Sequence, residues 1–290
     1  MKLGFIGFGE VAFEISRGLK MEGLQGIVAF DPMKDDPKYG PLVQERAAVA
    51  AVSLLSEPGD VVKATDVIIS AVPGAYALQT AEGIAAELNQ QKIYADVSTS
   101  SPTTKQKIAE LIALTGAGFV DGALMGRLTV EQHKVPTLVS GNGASKFIDL
   151  MTPYHMSLKK VSDKAGDAIA IKLVRSIYMK GIASLQAEML EAATKLQVED
   201  LVLASISNTM DAAPFVKTMN MLVTAGAIHA ERQSHEMKDC MVMLRDLGIA
   251  PIMTEATMLH LKYLAEKNLK DKFHGEIPDK WEAVTQALAE

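Results

Sequence analysis

Hydrophobic positions along the chain follow two regimes that meet near residue 162. Before it, short apolar runs rich in β-branched residues, at 2–6, 26–30, 50–52, 67–72, 93–97, 118–122, 136–140 and 158–162, read as strands. Between them the period changes to that of a helix, over residues 76–88, 104–114 and 145–151 among others. Strand and helix in alternation predict an α/β domain with a doubly wound parallel sheet and right-handed crossovers over residues 1–162. After residue 162 no strand alternation returns. A proline-free stretch at 163–198 carries apolar or small residues at Ile169, Leu173, Ile177, Gly181, Leu185, Met189, Ala193 and Leu196, which predicts one long interdomain helix. Further helices are predicted at 202–210, 215–225, 235–247 and 252–267, with a short one begun by Pro278 and Asp279. Residues 163–290 are thus expected to form an all-helical substrate and dimerisation domain.

The first strand runs directly into Gly7-Phe8-Gly9-Glu10-Val11-Ala12 and then into a helix. Gly-x-Gly-x-x-Ala in that setting is the dinucleotide-binding pattern: Gly7 makes the tight turn, Gly9 lets a pyrophosphate approach the backbone, and Ala12 lets the helix lie close on the sheet. The helix N-terminus then faces the phosphates. The second strand ends in Asp31, where an acidic side chain would accept hydrogen bonds from ribose hydroxyls and repel a 2'-phosphate. NAD is therefore expected, with NADP the alternative, because Lys34 follows closely and Asp31 also begins a turn before Pro32. Val72 and Pro73 stand in the loop after the fourth strand, at the carboxyl edge where ligands bind in such folds. The loop Asp96-Val97-Ser98-Thr99-Ser100-Ser101-Pro102 reads both as a helix cap and as a surface of hydroxyl and N–H groups for a substrate.

On the long helix, Lys172, Arg175 and Ser176 share one face at i, i+3 and i+4. Hydride transfer needs a positioned carbon and a group that handles the hydroxyl proton. A lysine on an apolar helix suits that task, since desolvation and a neighbouring cation both ease loss of its proton. The alternative is a lysine that snorkels to solvent beside an arginine paired elsewhere.

Composition narrows the remaining classes. The net charge of −6 leaves no overall basic surface for nucleic acid or an anionic membrane. No run is long and apolar enough to span a bilayer, and no export signal precedes residues 3–6, so a cytoplasmic protein is expected. The single Cys240 excludes an internal disulfide. His235-Glu236-Met237-Lys238-Asp239 lacks the second histidine of a zinc-binding helix, and the other histidines show no ligand spacing, so no metal is expected. Many of the 16 methionines fall in the last helices, a texture of core or subunit interface. A homodimer or higher oligomer is expected, with a small molecule as the other partner.

Taken in order, the Gly7 to Ala12 loop, the Asp96 to Pro102 loop, the Asp121-Gly122-Ala123-Leu124-Met125-Gly126 loop, the lysine helix, and Lys238-Asp239 with Gly248 and Pro251 resemble the β-hydroxyacid dehydrogenase family, which includes 3-hydroxyisobutyrate and tartronate semialdehyde reductases and relatives of 6-phosphogluconate dehydrogenase. The C-terminal half looks closest to its phosphogluconate dehydrogenase-like branch. The resemblance implies an NAD(P)-dependent oxidoreductase acting on a small β-hydroxy acid or the matching semialdehyde or ketone. It implies Lys172 as general acid/base, and Ser98, Thr99, Gly122 and Ala123 around the substrate; by their own chemistry and position Ser176 is the candidate catalytic group beside the lysine, and Arg127 and Arg175 are candidate substrate contacts. Cofactor contacts are implied for Gly7, Phe8, Gly9, Glu10, Val11, Ala12, Asp31, Val72, Pro73, Ser98 and Lys238. Two departures bear on substrate: the family's asparagine one turn after the lysine is Ser176 here, and its Ser-Gly-Gly loop end is Met125-Gly126-Arg127. Reduction of an imine on the same scaffold, and a dinucleotide-binding protein without turnover, are the alternatives.

Overall fold

A computed structural model describes residues 1–289, which fall into two compact units, Met1–Ser176 and the residues from Ile177 onward. In chain order the first unit contains β1 (Leu3–Ile6), α1 (Glu10–Met21), β2 (Val28–Phe30), α2 (Gly40–Val49), β3 (Ser53–Leu54), α3 (Pro58–Ala64), β4 (Val67–Ser70), α4 (Ala77–Ile84), β5 (Ile93–Asp96), α5 (Pro102–Ala113), β6 (Gly118–Leu124), α6 (Leu128–Glu131), β7 (Thr137–Ser140), α7 (Ala144–Met151) and β8 (Leu158–Ser162). The eight strands form one sheet in the order β3-β2-β1-β4-β5-β6-β7-β8. Strand order reverses between β1 and β4, so the loops after these two strands open the crevice where Rossmann folds take their ligand.

Side chains alternate across the pleat and build a core on each face. Leu3, Phe5, Ile15, Leu19 and Phe147 join one cluster, whereas Ile6, Val62, Ile68, Ile84, Ile108 and Phe119 join the other. Helices therefore cover both faces, as a sheet of nearly continuous apolar strands requires.

The sheet departs from the expected all-parallel pattern at one pair. β6 and β7 are antiparallel, with Leu124 opposite Thr137 and Asp121 opposite Ser140. A parallel return needs a crossover about as long as the strands, and the four-residue helix α6 spans only about 6 Å. The chain turns back at the same edge instead. A smaller shift concerns β3: Ala50 to Val52 close α2 rather than forming a strand, with Ala51 at φ 51° and Val52 N donating to Ala47 O at 2.9 Å. This is a left-handed helix end built on alanine, and pairing resumes only at Ser53.

The long helix α8 runs Asp167–Leu196 over 30 residues, starting four residues later than its period suggested because Gly166 takes φ +96°. Its first ten residues belong to the first unit. The second unit holds its remainder with α9 (Glu199–Met210), α10 (Phe215–Asp246), α11 (Ile252–Glu266), α12 (Leu269–Lys272) and α13 (Trp281–Ala289). Two expected helices, 215–225 and 235–247, are one: α10 passes through Gly226 without a break, and Ala227, Ile228, Ala230 and Ser234 are buried across the expected gap. Burial of that small-residue face outweighs the cost of about 1 kcal/mol for a glycine in a helix interior.

Candidate active site

Strand ends and the α8 start place the chemistry. A cavity of about 920 Å³ in the first unit is lined at one end by Asp31, Pro32 and Met33, in the middle by Gly7, Gly9, Val11, Val72 and Pro73, and at the other end by Val97, Ser98, Thr99, Leu124 and Lys172. That volume is of the size that holds small organic ligands and cofactors, about 300–1,000 Å³.

The cradle at its centre fits a dinucleotide. Gly7 turns at φ +85°, and a Cβ there would press on Ala71 O and Val72 Cγ1 at 3.0 Å. Gly9 has open space where its Cβ would stand, so any side chain would project into the room left for the phosphates. Among the described residues no side chain caps α1. Its first N–H groups and positive dipole end are thus available to an anion. Asp31, nearly buried, accepts Phe8 N at 2.6 Å on one carboxylate oxygen and Met33 N at 2.8 Å on the other. The carboxylate holds the glycine loop to the end of β2 while still facing the cavity. Lys34 Nζ is turned onto Leu55 O at 3.3 Å.

At the far end Lys172 Nζ donates to Thr99 Oγ1 at 3.2 Å. The two neighbouring hydroxyls of the loop divide their work. Thr99 is exposed toward the lysine, whereas Ser98 is buried, with its N–H and hydroxyl held by Asp96 Oδ1 at 2.9 Å and Oδ2 at 3.0 Å. Gly74 lets the two loops close on each other, since a Cβ there would overlap Thr99 O.

Beneath this surface lies a group of charges that sequence reading missed. Lys105, with no exposed surface, reaches Asp96 Oδ2 at 3.0 Å and Asp121 Oδ1 at 3.3 Å, and donates to Asp96 O at 2.6 Å. Asp121 Oδ2 in turn accepts Gly166 N at 3.2 Å and Ile169 N at 3.0 Å, so a strand residue caps the start of α8. Ser140 Oγ donates to the same oxygen at 3.2 Å and accepts Ala168 N at 3.1 Å. The missed signal was one of phase: Lys105 stands at i to the buried Ile108 and Ile112 at i+3 and i+7, on the inward face of α5.

The other expected site residues stand as follows. Phe8 is buried in the core beside the loop, Ala12 is buried under α1, and Glu10 is exposed on the first turn of α1. Gly122 is buried in β6, where a Cβ would meet Val97 Cγ1 at 2.9 Å, and Ala123 packs with Ala168 and Ile169 under the α8 start. Ser176 is half-buried and ends the first unit; Arg127 and Arg175 are exposed, and none of these three lines the cavity. Lys238 is exposed on α10, in the second unit. Among the described residues no cluster of His, Cys, Asp or Glu could hold a metal ion. No helix among them is long and apolar enough to cross a membrane.

Residues 2–147 match the model of the NAD binding domain of 6-phosphogluconate dehydrogenase. The chain belongs to this NAD-binding family. Its cofactor is accordingly a nicotinamide dinucleotide, held by a Rossmann domain. Outside that NAD-binding domain, residues 193–262 match a domain of unknown function (DUF1932). An uncharacterised 28.5 kDa protein from Methanothermus fervidus is 29% identical over 267 residues, covering 92% of this chain and 100% of that one. A conserved protein of unknown function, described as structurally similar to 3-hydroxyacid dehydrogenases, is 31% identical over 95% of this chain and all of its own, with a TM-score of 0.61. The NADP+ complex of an imine reductase from Myxococcus stipitatus shares the fold, with a TM-score of 0.71 at 16% identity over 92% of this chain and 94% of that one.

Proposed function

We propose that this protein is an NAD(P)-dependent oxidoreductase that moves a hydride between nicotinamide and a small β-hydroxy acid, or the matching semialdehyde or ketone. The observation that carries the reading is the hydrogen bond from Lys172 to Thr99 at the end of a cavity whose middle is the glycine loop. The bound cofactor supplies the hydride chemistry. Lys172 holds the proton that the substrate oxygen gains on reduction and loses on oxidation, and Thr99 Oγ1 fixes where that amine stands. Val97 and Leu124 give the reacting end its apolar wall. Ser176, one turn on from Lys172, is assigned a hydrogen bond to substrate, with Arg127 and Arg175 as the cations for its carboxylate. In the same reading the helices from α8 onward form the substrate and dimerisation domain. Asp31 favours NAD over NADP, because a carboxylate at the ribose end opposes a 2'-phosphate while Lys34 is engaged with Leu55.

One observation favours a second reading, reduction of an imine. Lys172 is the cation at the reacting end of the cavity, and Arg127 and Arg175 stand outside its lining, so among the described residues the cavity contains no arginine clamp for a carboxylate. Nicotinamide absorbance decides between the two. The protein would be incubated with NADH or NADPH and a panel of semialdehydes, ketones and preformed cyclic imines, and with the oxidised cofactors and β-hydroxy acids. Turnover confined to the hydroxy acid and carbonyl arms supports the first reading, turnover confined to imines the second, and cofactor binding without turnover on any arm contradicts both.

A further inference from the structure

We infer that Lys105 is a positioning residue, which sets the Lys172 amine against Thr99 by tying together the two carboxylates that hold each partner. The inference rests on the role proposed above for Lys172. Asp96 grips the backbone and hydroxyl of Ser98, the residue before Thr99. Asp121 grips the first turn of α8, ending at Ile169, which stands one turn before Lys172. Lys105 Nζ bridges the two, at 3.0 and 3.3 Å. All three side chains have no exposed surface.

Charge makes the bridge necessary. Two carboxylates buried on adjacent strands, paired at Asp96 and Asp121 in the β5–β6 register, repel each other in a medium of low polarisability. One lysine between them leaves a single net negative charge, which faces the N–H groups at the start of α8. Removing the lysine forces the carboxylates apart or protonates one of them, and either change loosens the grip on Ser98 or on Ile169. A shift of about 1 Å at that depth is enough to misplace a proton donor. Asp96, Lys105 and Asp121 lie beneath the reacting groups and outside the cavity lining, so the bridge acts through position alone.

The test compares Lys105→Met with the wild type and with Lys107→Met, an exposed control on the same helix. The first readout is the rate at which an amine-selective acylating reagent labels Lys172 across pH, followed by peptide mass spectrometry at temperatures where each protein is folded. Lys105→Met is expected to change that rate by about threefold or more and to move its pH midpoint, while Lys107→Met changes neither. Unaltered labelling of Lys172 in folded Lys105→Met overturns the inference, whatever the variant does to thermal stability. Should Lys105→Met not fold, Lys105→Met/Asp96→Asn, which removes one charge of each sign, takes its place with the same expected and contrary results. With a substrate in hand, kcat falls about 10- to 100-fold with the KM for dinucleotide within about threefold. An equal loss in binding and none in kcat contradicts the assignment. A wild type without turnover sinks the proposed function, and the labelling result still decides the place of Lys105.

Discussion

Glu188 offers both carboxylate oxygens to the start of α11, accepting Met253 N at 2.7 Å and, on the other oxygen, Thr254 N at 2.8 Å and Thr254 Oγ1 at 2.6 Å. Burial alone would raise its pKa, but these hydrogen bonds and that of Ile252 N together hold the carboxyl below its ordinary value. Glu188→Ala is expected to cost about 1–2 kcal/mol in a urea titration, the worth of a helix cap with charged hydrogen bonds. A depressed carboxyl pKa means that the contribution is complete above about pH 4.5 and is lost as pH falls through the folded value. His133 acts in a higher window and with the opposite chemistry. Desolvation lowers its pKa, even though Glu22 lies 3.6 Å away, because the ring is packed against Gly18. The unfolded chain therefore takes up the proton first, and stability falls as pH drops below about 6.5 toward the folded value. Thermal midpoints of His133→Leu should lose that slope between pH 7 and 5 and keep the one below pH 4.5. Lys105 is the residue that composition hides. In the run Pro102-Thr103-Thr104-Lys105-Gln106-Lys107 it looks like any solvated charge, and only its phase with Ile108 and Ile112 shows it buried.

Elements were legible where pattern and local chemistry agreed. The glycine loop, most strands of the sheet and the helix that carries Lys172 follow from period and turn residues, and their bounds fall within a few residues of that reading. The misreadings have two causes, a short connection in one case and burial overriding a local signal in the other. β7 pairs antiparallel because its connection is too short to cross the sheet. A break is expected between 225 and 235, yet burial of the face around Gly226 carries α10 through. Its Cβ position is open, with only Gln233 Oε1 at 3.9 Å. Gly226→Ala should therefore stabilise the protein by about 0.5–1 kcal/mol, seen as a higher thermal midpoint; a lower one would mean that the glycine is needed for close packing. Which side chains meet across the Asp96, Asp121 and α8 junction could not be read from one sequence, since residues 45 and 48 positions apart are joined there.

At the scale of the molecule, the helical unit leaves large apolar side chains uncovered. Ile177 and Leu201 are each 75% exposed and Ile252 is 70% exposed, with Leu185, Leu190, Leu222 and Leu259 also on the surface. Monomers rarely expose so much apolar surface. A second copy of the chain is proposed to cover it, so sedimentation should give twice the chain mass of 31.1 kDa, and Ile177→Asp with Leu201→Asp should give a monomer. A wild type that sediments as a single chain contradicts the assembly. The account as a whole turns on Lys172, whose amine meets Thr99 at the end of the dinucleotide cavity. The measurement that tests it most directly is turnover by Lys172→Ala beside dinucleotide affinity, on whichever substrate the wild type accepts. The account predicts a kcat lower by a factor of about 10²–10⁴, the usual worth of a general acid or base, with the dissociation constant for dinucleotide within about threefold. A variant that keeps its kcat, or that loses turnover only because it no longer binds dinucleotide, would contradict it.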